Sequence, residues 1–178
     1  MNCKLLFVFF GLLIFTVSNA QKYDLGKVSI EELSQTSHPS DPEAPAAILY
    51  KKGKSYFDVD GNGYFVLVTE IEQRIKIYKK EGYEYGNQEI PYYVGGVRDV
   101  KVTFDEASTY NLVNGKIEKT KLKSDSEFKE TINESYRSKK IALPNIKEGS
   151  IIEFKYTIRS PYYSSFPDWY FEYVIPAD

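Results

Sequence analysis

The stretch FDVDGNGYF, residues 57–65, places Asp58, Asp60, Asn62 and Gly63 on the D-x-D-x-N-G opening of an EF-hand calcium loop. Such a loop also needs a carboxylate at its twelfth position and a helix on either side. Counted from Asp58, that position is Thr69, and Glu70 falls one residue late. The following run, YFVLVTEIEQRIKIY (64–78), sets Phe65, Leu67, Thr69, Ile71, Gln73, Ile75 and Ile77 on one face of a strand. Glu70, Glu72, Arg74 and Lys76 fall on the other. Asp60-Gly61 and Asn62-Gly63 supply the positive φ that tight hairpins demand. The stretch therefore reads as a hairpin turn, and no metal site is expected.

Other reactive groups are few. His38 is the only histidine and Cys3 the only cysteine, so a Ser-His-Asp or Cys-His arrangement would have to use His38, and the Cys-His form would find no cysteine in a chain that has shed its first twenty residues. His38 lies in TSHPSDP and reads as a solvated loop residue; zinc ligation by Cys and His is not available. Gly61-x-Gly63 and Gly95-Gly96 lack the strand-to-helix setting and the lysine of a phosphate-cradling loop. Glu70 and Glu72 share a face, but Arg74 and Lys76 continue it, which favours a solvated charged stripe over a catalytic pair. Asp168 and Glu172 flank Trp169 and Tyr170, an arrangement that would suit a sugar site, although spacing alone is weak support for hydrolysis. No catalytic residue, metal or cofactor is expected.

The elements that would position these residues are mostly strands. Ala46–Tyr50 and Ser55–Val59 read as strands with Gly53 as a turn between them, and Pro91 confines GYEYGNQEIPYY to an edge or strand end. Val100, Val102 and Phe104 alternate. Thr109–Val113 meets Lys116–Leu122 through Asn114-Gly115, the strongest short hairpin signal. SDSEFKETINESY (124–136) fits a capped helix or an extended run equally well. Ile152, Phe154, Tyr156 and Ile158 alternate after a Glu148-Gly149 turn, and Trp169, Phe171, Tyr173 and Ile175 alternate again, so two strands are expected to pair there. Short strands with Gly, Pro and Asn-Gly turns predict an all-β, antiparallel sandwich with long hairpins and at most one short helix.

Residues 1–20, MNCKLLFVFFGLLIFTVSNA, have a single lysine, an apolar run from Leu5 to Val17 and a small-polar-small exit. They read as a secretory signal peptide cut after Ala20, the apolar run being too short to span a bilayer. Export to the periplasm, the outer surface or the medium follows as an expectation, with no membrane span left in the mature chain. Cleavage would remove Cys3, so the core must hold without disulfides. Residues 21–45, proline-rich at their end, read as a leader wrapped on the domain of residues 46–178. Lysines are interspersed with acids and the formal net charge is −2, which gives nucleic acid no basic tract to bind.

The aromatic content is high, with Tyr at 16 residues and Phe at 11. Tyr92, Tyr93, Tyr162, Tyr163 and Trp169 form a candidate binding surface, since neighbours in a strand point to opposite faces and each pair should turn one ring outward. Packing under loops or on a second sheet face is the competing reading.

The segments DPEAPAAILYKKG (41–53), RIKIYKKEGYEYGNQEIPYY (74–93), ASTYNLVNGKI (107–117) and ALPNIKEGSIIEFKYTIRSPYYSSFPDWYFEYVIP (142–176) resemble the domain of unknown function 3857. The resemblance implies a two-sheet β domain near the N-terminus of exported bacterial proteins. It also implies a following transglutaminase-like, papain-fold domain with a Cys, His and Asp set. None of that set maps onto this chain, so the catalytic domain would lie beyond residue 178 and the sequence would be a piece of a longer product. The expected function is a noncatalytic accessory domain acting in interdomain packing or partner binding. The alternative is a stand-alone glycan-binding module using the exposed aromatic residues.

Overall fold

The computed structural model describes residues 24–164, 166–169 and 173–177. Among these residues one short α-helix, α1 (Ile30–Ser34), precedes eight strands: β1 (Ala46–Val59), β2 (Phe65–Ile77), β3 (Asn87–Tyr93), β4 (Lys101–Val113), β5 (Lys116–Lys121), β6 (Glu127–Thr131), β7 (Tyr136–Ala142) and β8 (Ile151–Ser160). Every strand pairing is antiparallel. The larger sheet runs β1-β2-β8-β4-β5 and the smaller β3-β7-β6.

β1 and β2 form a long hairpin whose register runs from Ala46↔Ile77 to Val59↔Phe65. Gly53 does not turn the chain as expected; it sits inside β1, opposite Ile71. Its missing side chain is what matters, because a Cβ there would collide with the Trp169 ring. The Asn114-Gly115 pair does turn the chain between β4 and β5, with both residues at positive φ (50° and 73°), as a two-residue hairpin requires. The ambiguous 124–136 region resolves into a 3-10 turn and β6.

Two bulges set which residues face inward. One near Leu49 changes the phase of β1, so that Ile48 pairs with Ile75 while Tyr50 pairs with Arg74. Another at Asp105 does the same in β4, placing Phe104 opposite Tyr156 and Glu106 opposite Lys155. Between the sheets lies the main core, built from Ile48, Ile75, Ile77, Ile152 and Phe154 of the larger sheet with Ile141 and Leu143 from the β7 side. Each such fully buried chain contributes roughly 1.5–3 kcal/mol relative to exposure.

A second cluster covers the opposite face of the larger sheet. There Leu33 and Val28 of the leader pack on Leu49, Tyr110 and Ile151. The leader is anchored by a capping box at Ser29, whose hydroxyl accepts from the Glu32 amide while the Glu32 carboxylate accepts from the Ser29 amide.

Residues 170–172, in the middle of the strand expected over Trp169–Ile175, lie outside the described residues, and the described residues on either side of them form no strand. Instead Ile48 N–H donates to the Pro176 carbonyl at 2.8 Å, and an isolated bridge joins Ile48 to Ala177. Phe166 meets Phe57 edge-on at 6.1 Å, Trp169 lies over Gly53, and the Lys51 ammonium sits 5.1 Å from the Trp169 ring and 5.0 Å from that of Tyr173. This tail runs beside β1, which is an edge strand of the larger sheet. Ile175 enters the main core.

Candidate functional site

The hairpin tip is a structural turn. The Asp60 carboxylate accepts from the amides of Asn62 (2.9 Å) and Tyr64 (3.0 Å) and from Arg98 (3.0 Å). These donors, the Tyr64 amide foremost, hold its pKa below the usual carboxylate range. Asp58 is taken by Arg159 at 2.8 Å. Among the described residues no group of three His, Cys, Asp or Glu is arranged to hold a metal ion.

The charged face of β2 differs from expectation in one half. Toward the hairpin tip it is the solvated stripe anticipated. Lys52, Glu72, Lys155 and Glu106 pair in sequence across β1, β2, β8 and β4, and Glu70 accepts from Lys155 at 3.0 Å and from Tyr56 at 2.8 Å. Toward the other end, Arg74 is 1% and Lys76 0% exposed, so neither is solvated. The leader is the reason. Arg74 Nε donates to Glu153 at 2.7 Å, its Nη1 to Glu32 at 2.5 Å, and its Nη2 to the carbonyls of Asp24 and Lys27 at 3.0 Å each. Its guanidinium also faces the Tyr50 ring at 5.3 Å.

Burial opposes the charge on Arg74, but Glu153 and Glu32 together raise its pKa above the ordinary value. Lys76 Nζ donates to the carbonyls of Leu33 (2.7 Å) and Gly149 (2.6 Å). Burial lowers its pKa to about 8, with Glu32 pulling the other way. Loss of solvent likewise raises the phenols of Tyr50 and Tyr110, reinforced by Glu153. Arg74 and Lys76 are held by carboxylates and backbone carbonyls, so their end of the face serves to seat the leader.

His38 is likewise not the solvated loop residue expected. It is 4% exposed, with Nδ1 at 3.2 Å from the Ser40 hydroxyl.

The predicted aromatic surface divides. Tyr92 and Tyr93 line a cleft of about 530 Å³ with Leu67, Thr69, Ile158, Tyr136 and the Phe166–Asp168 segment. It opens where β3 and β7 part from the β2 and β8 ends of the larger sheet. Tyr93 sits edge-on to both Tyr136 and Tyr162, each at 5.6 Å, so Tyr162 buttresses the cleft wall while its hydroxyl donates to the Arg98 carbonyl. Gly96 makes room for that ring, since a Cβ there would strike the Tyr162 hydroxyl. Tyr163 and Trp169 are not among the cleft residues: Tyr163 is exposed, and Trp169 is committed to Gly53 and Lys51. Of the paired acids, Asp168 lies on the rim and Glu172 falls outside the described residues. Sequence reasoning missed Tyr136 and Phe166. The cross-strand partnership of Tyr136 with Tyr93 is visible only once the β3–β7 register is known.

Fold and site together define a small antiparallel β-sandwich with an aromatic cleft at one end. The family model described as "Domain of Unknown Function with solved-structure structure" (DUF3857) matches residues 67–175, and the chain belongs to that family. No curated protein matches it. Among solved structures, it is similar to a chain from Parabacteroides distasonis ATCC 8503 described as a "putative protease", at 12% identity and a TM-score of 0.48, covering 71% of this chain. The match spans 24% of that chain, about a quarter of its length.

Proposed function

We propose that this domain is a noncatalytic accessory module of an exported transglutaminase-like protein, working by interdomain packing or partner binding. The observation that carries the reading is the anchorage of the described residues after β8, 166–169 and 173–177. Trp169 is fitted over Gly53, Lys51 lies near the rings of both Trp169 and Tyr173, and Ile175 is buried in the core. A domain attached after Ala177 would be rooted in the sandwich instead of hanging from a loose linker, as a positioning module requires. The buried cations Arg74 and Lys76 are engaged by the leader through Glu32 and the carbonyls of Asp24, Lys27 and Leu33, which supports a structural use of that face over chemistry.

Reading the gene past codon 178 tests the proposal. A continuing frame with a Cys-His-Asp module of papain type is expected. A natural stop at that codon, with no such module encoded nearby, overturns it.

A further inference from the structure

The cleft combines ring surfaces with oxygen groups. Tyr136 is 46% and Phe166 56% exposed, so both offer ring surface to a ligand, while Tyr93 is held edge-on between two neighbours and fixes the orientation of Tyr136. Around them stand Tyr92, Asp168, Thr69, whose hydroxyl pairs with that of Ser55 at 2.9 Å, and Ser160, whose hydroxyl accepts from the Tyr162 amide at 3.1 Å. No hydrogen bond or ion pair to another described residue engages Asp168. None of the described lining residues is basic. The volume falls within the range of small-ligand clefts, which combine apolar walls with a few placed polar groups.

An anionic ligand would meet an uncompensated carboxylate. A purely apolar one would desolvate the Asp168 carboxylate without replacing its water contacts, which is costly. A sugar satisfies both surfaces, because its C–H faces are apolar and its hydroxyls are donors. The geometry points to a neutral saccharide as the ligand of this cleft, stacked on Tyr136 and Phe166 and donating hydroxyl protons to Asp168. This names the ligand class for the partner-binding half of the reading above and rests on it.

The test is calorimetric titration of the full chain with short neutral oligomers of β-1,4-glucose, α-1,4-glucose and β-1,4-N-acetylglucosamine, alongside an Arg-flanked proline-rich peptide. One saccharide series is expected to bind. Tyr136→Ala and Phe166→Ala should each weaken it by about tenfold, the scale of one lost ring contact. Asp168→Asn should weaken it as well, and Tyr163→Ala, outside the cleft, should leave it unchanged. Absence of binding by every saccharide up to about 10 mM, far weaker than specific modules bind, overturns the proposal. So does saccharide binding indifferent to the cleft variants, or occupancy of the cleft by the peptide alone. Such failure leaves the accessory reading standing, because that one is decided by the gene beyond codon 178. Circular dichroism of each variant separates lost binding from lost fold.

Discussion

Arg74 and Glu153 are direct cross-strand partners on β2 and β8, and the guanidinium Nε donates to the carboxylate at 2.7 Å where neither side chain retains appreciable contact with solvent. Glu32 of the leader completes the arrangement from above at 2.5 Å. Removing the cation alone would strand two buried carboxylates. Arg74→Met is therefore expected to cost about 3–5 kcal/mol in urea denaturation, whereas replacing all three residues by apolar side chains of similar volume should cost far less. Equal losses in the two variants would show that packing, not charge, dominates there.

Lys76 gives the domain an alkaline signature. Its folded pKa of about 8 lies below the ordinary lysine value of 10.5, so between those limits the unfolded chain binds the extra proton. Stability should rise with pH across that window, the sign following from fewer protons bound in the native state. Glu32, Arg74 and Glu153 are the charged groups close to this end of the face. Thermal melts from pH 8 to 10.5 on wild type and Lys76→Met check this: the upward slope should be reduced in the variant.

Gly53→Ala should dislodge the indole from β1. The sequence holds one tryptophan, so intrinsic fluorescence reports the event directly: a red-shifted emission is expected, with about 1–3 kcal/mol of lost stability from overpacking. Unchanged emission in a folded variant would mean that the ring does not rest there in solution.

Calcium should be without effect. Asp60 already accepts from two amides and from Arg98, and Asp58 from Arg159. Neither added calcium nor a chelator is expected to move the melting temperature, while Asp60→Ala should cost about 1–2 kcal/mol through its lost turn bonds. A rise of several degrees with millimolar calcium would reinstate the metal reading.

Phe154 lies at the centre of the main core and is 1% exposed. Phe154→Ala should destabilise the domain by about 3–5 kcal/mol, measurable by denaturant unfolding.

The all-β class, the Asp60–Tyr64 turn and the Asn114-Gly115 hairpin were legible because period-two alternation and positive-φ residues are local signals. The burial of Arg74 and Lys76 was not. Alternation says which residues share a face, but not whether something distant in sequence covers it, and here Glu32 and Leu33 do. Gly53 misled for a related reason: its partner, Trp169, comes from the far end of the chain. In the cleft, Tyr92 and Tyr93 were legible as an aromatic pair, but Tyr136 joins them only through strand register, and Phe166 only through the path of the tail.

The leader also has a temporal consequence. Gly26 donates to Glu153 across 127 residues of sequence, so a segment made early by the ribosome has no complete seat until β8 has emerged. Until that moment the half-built β1–β2 ribbon would carry Arg74 and Lys76 in water, at ease and uncommitted, and only the emergence of β8 would draw the early segment down over them. Closure of that face would then report that the domain has been translated through β8.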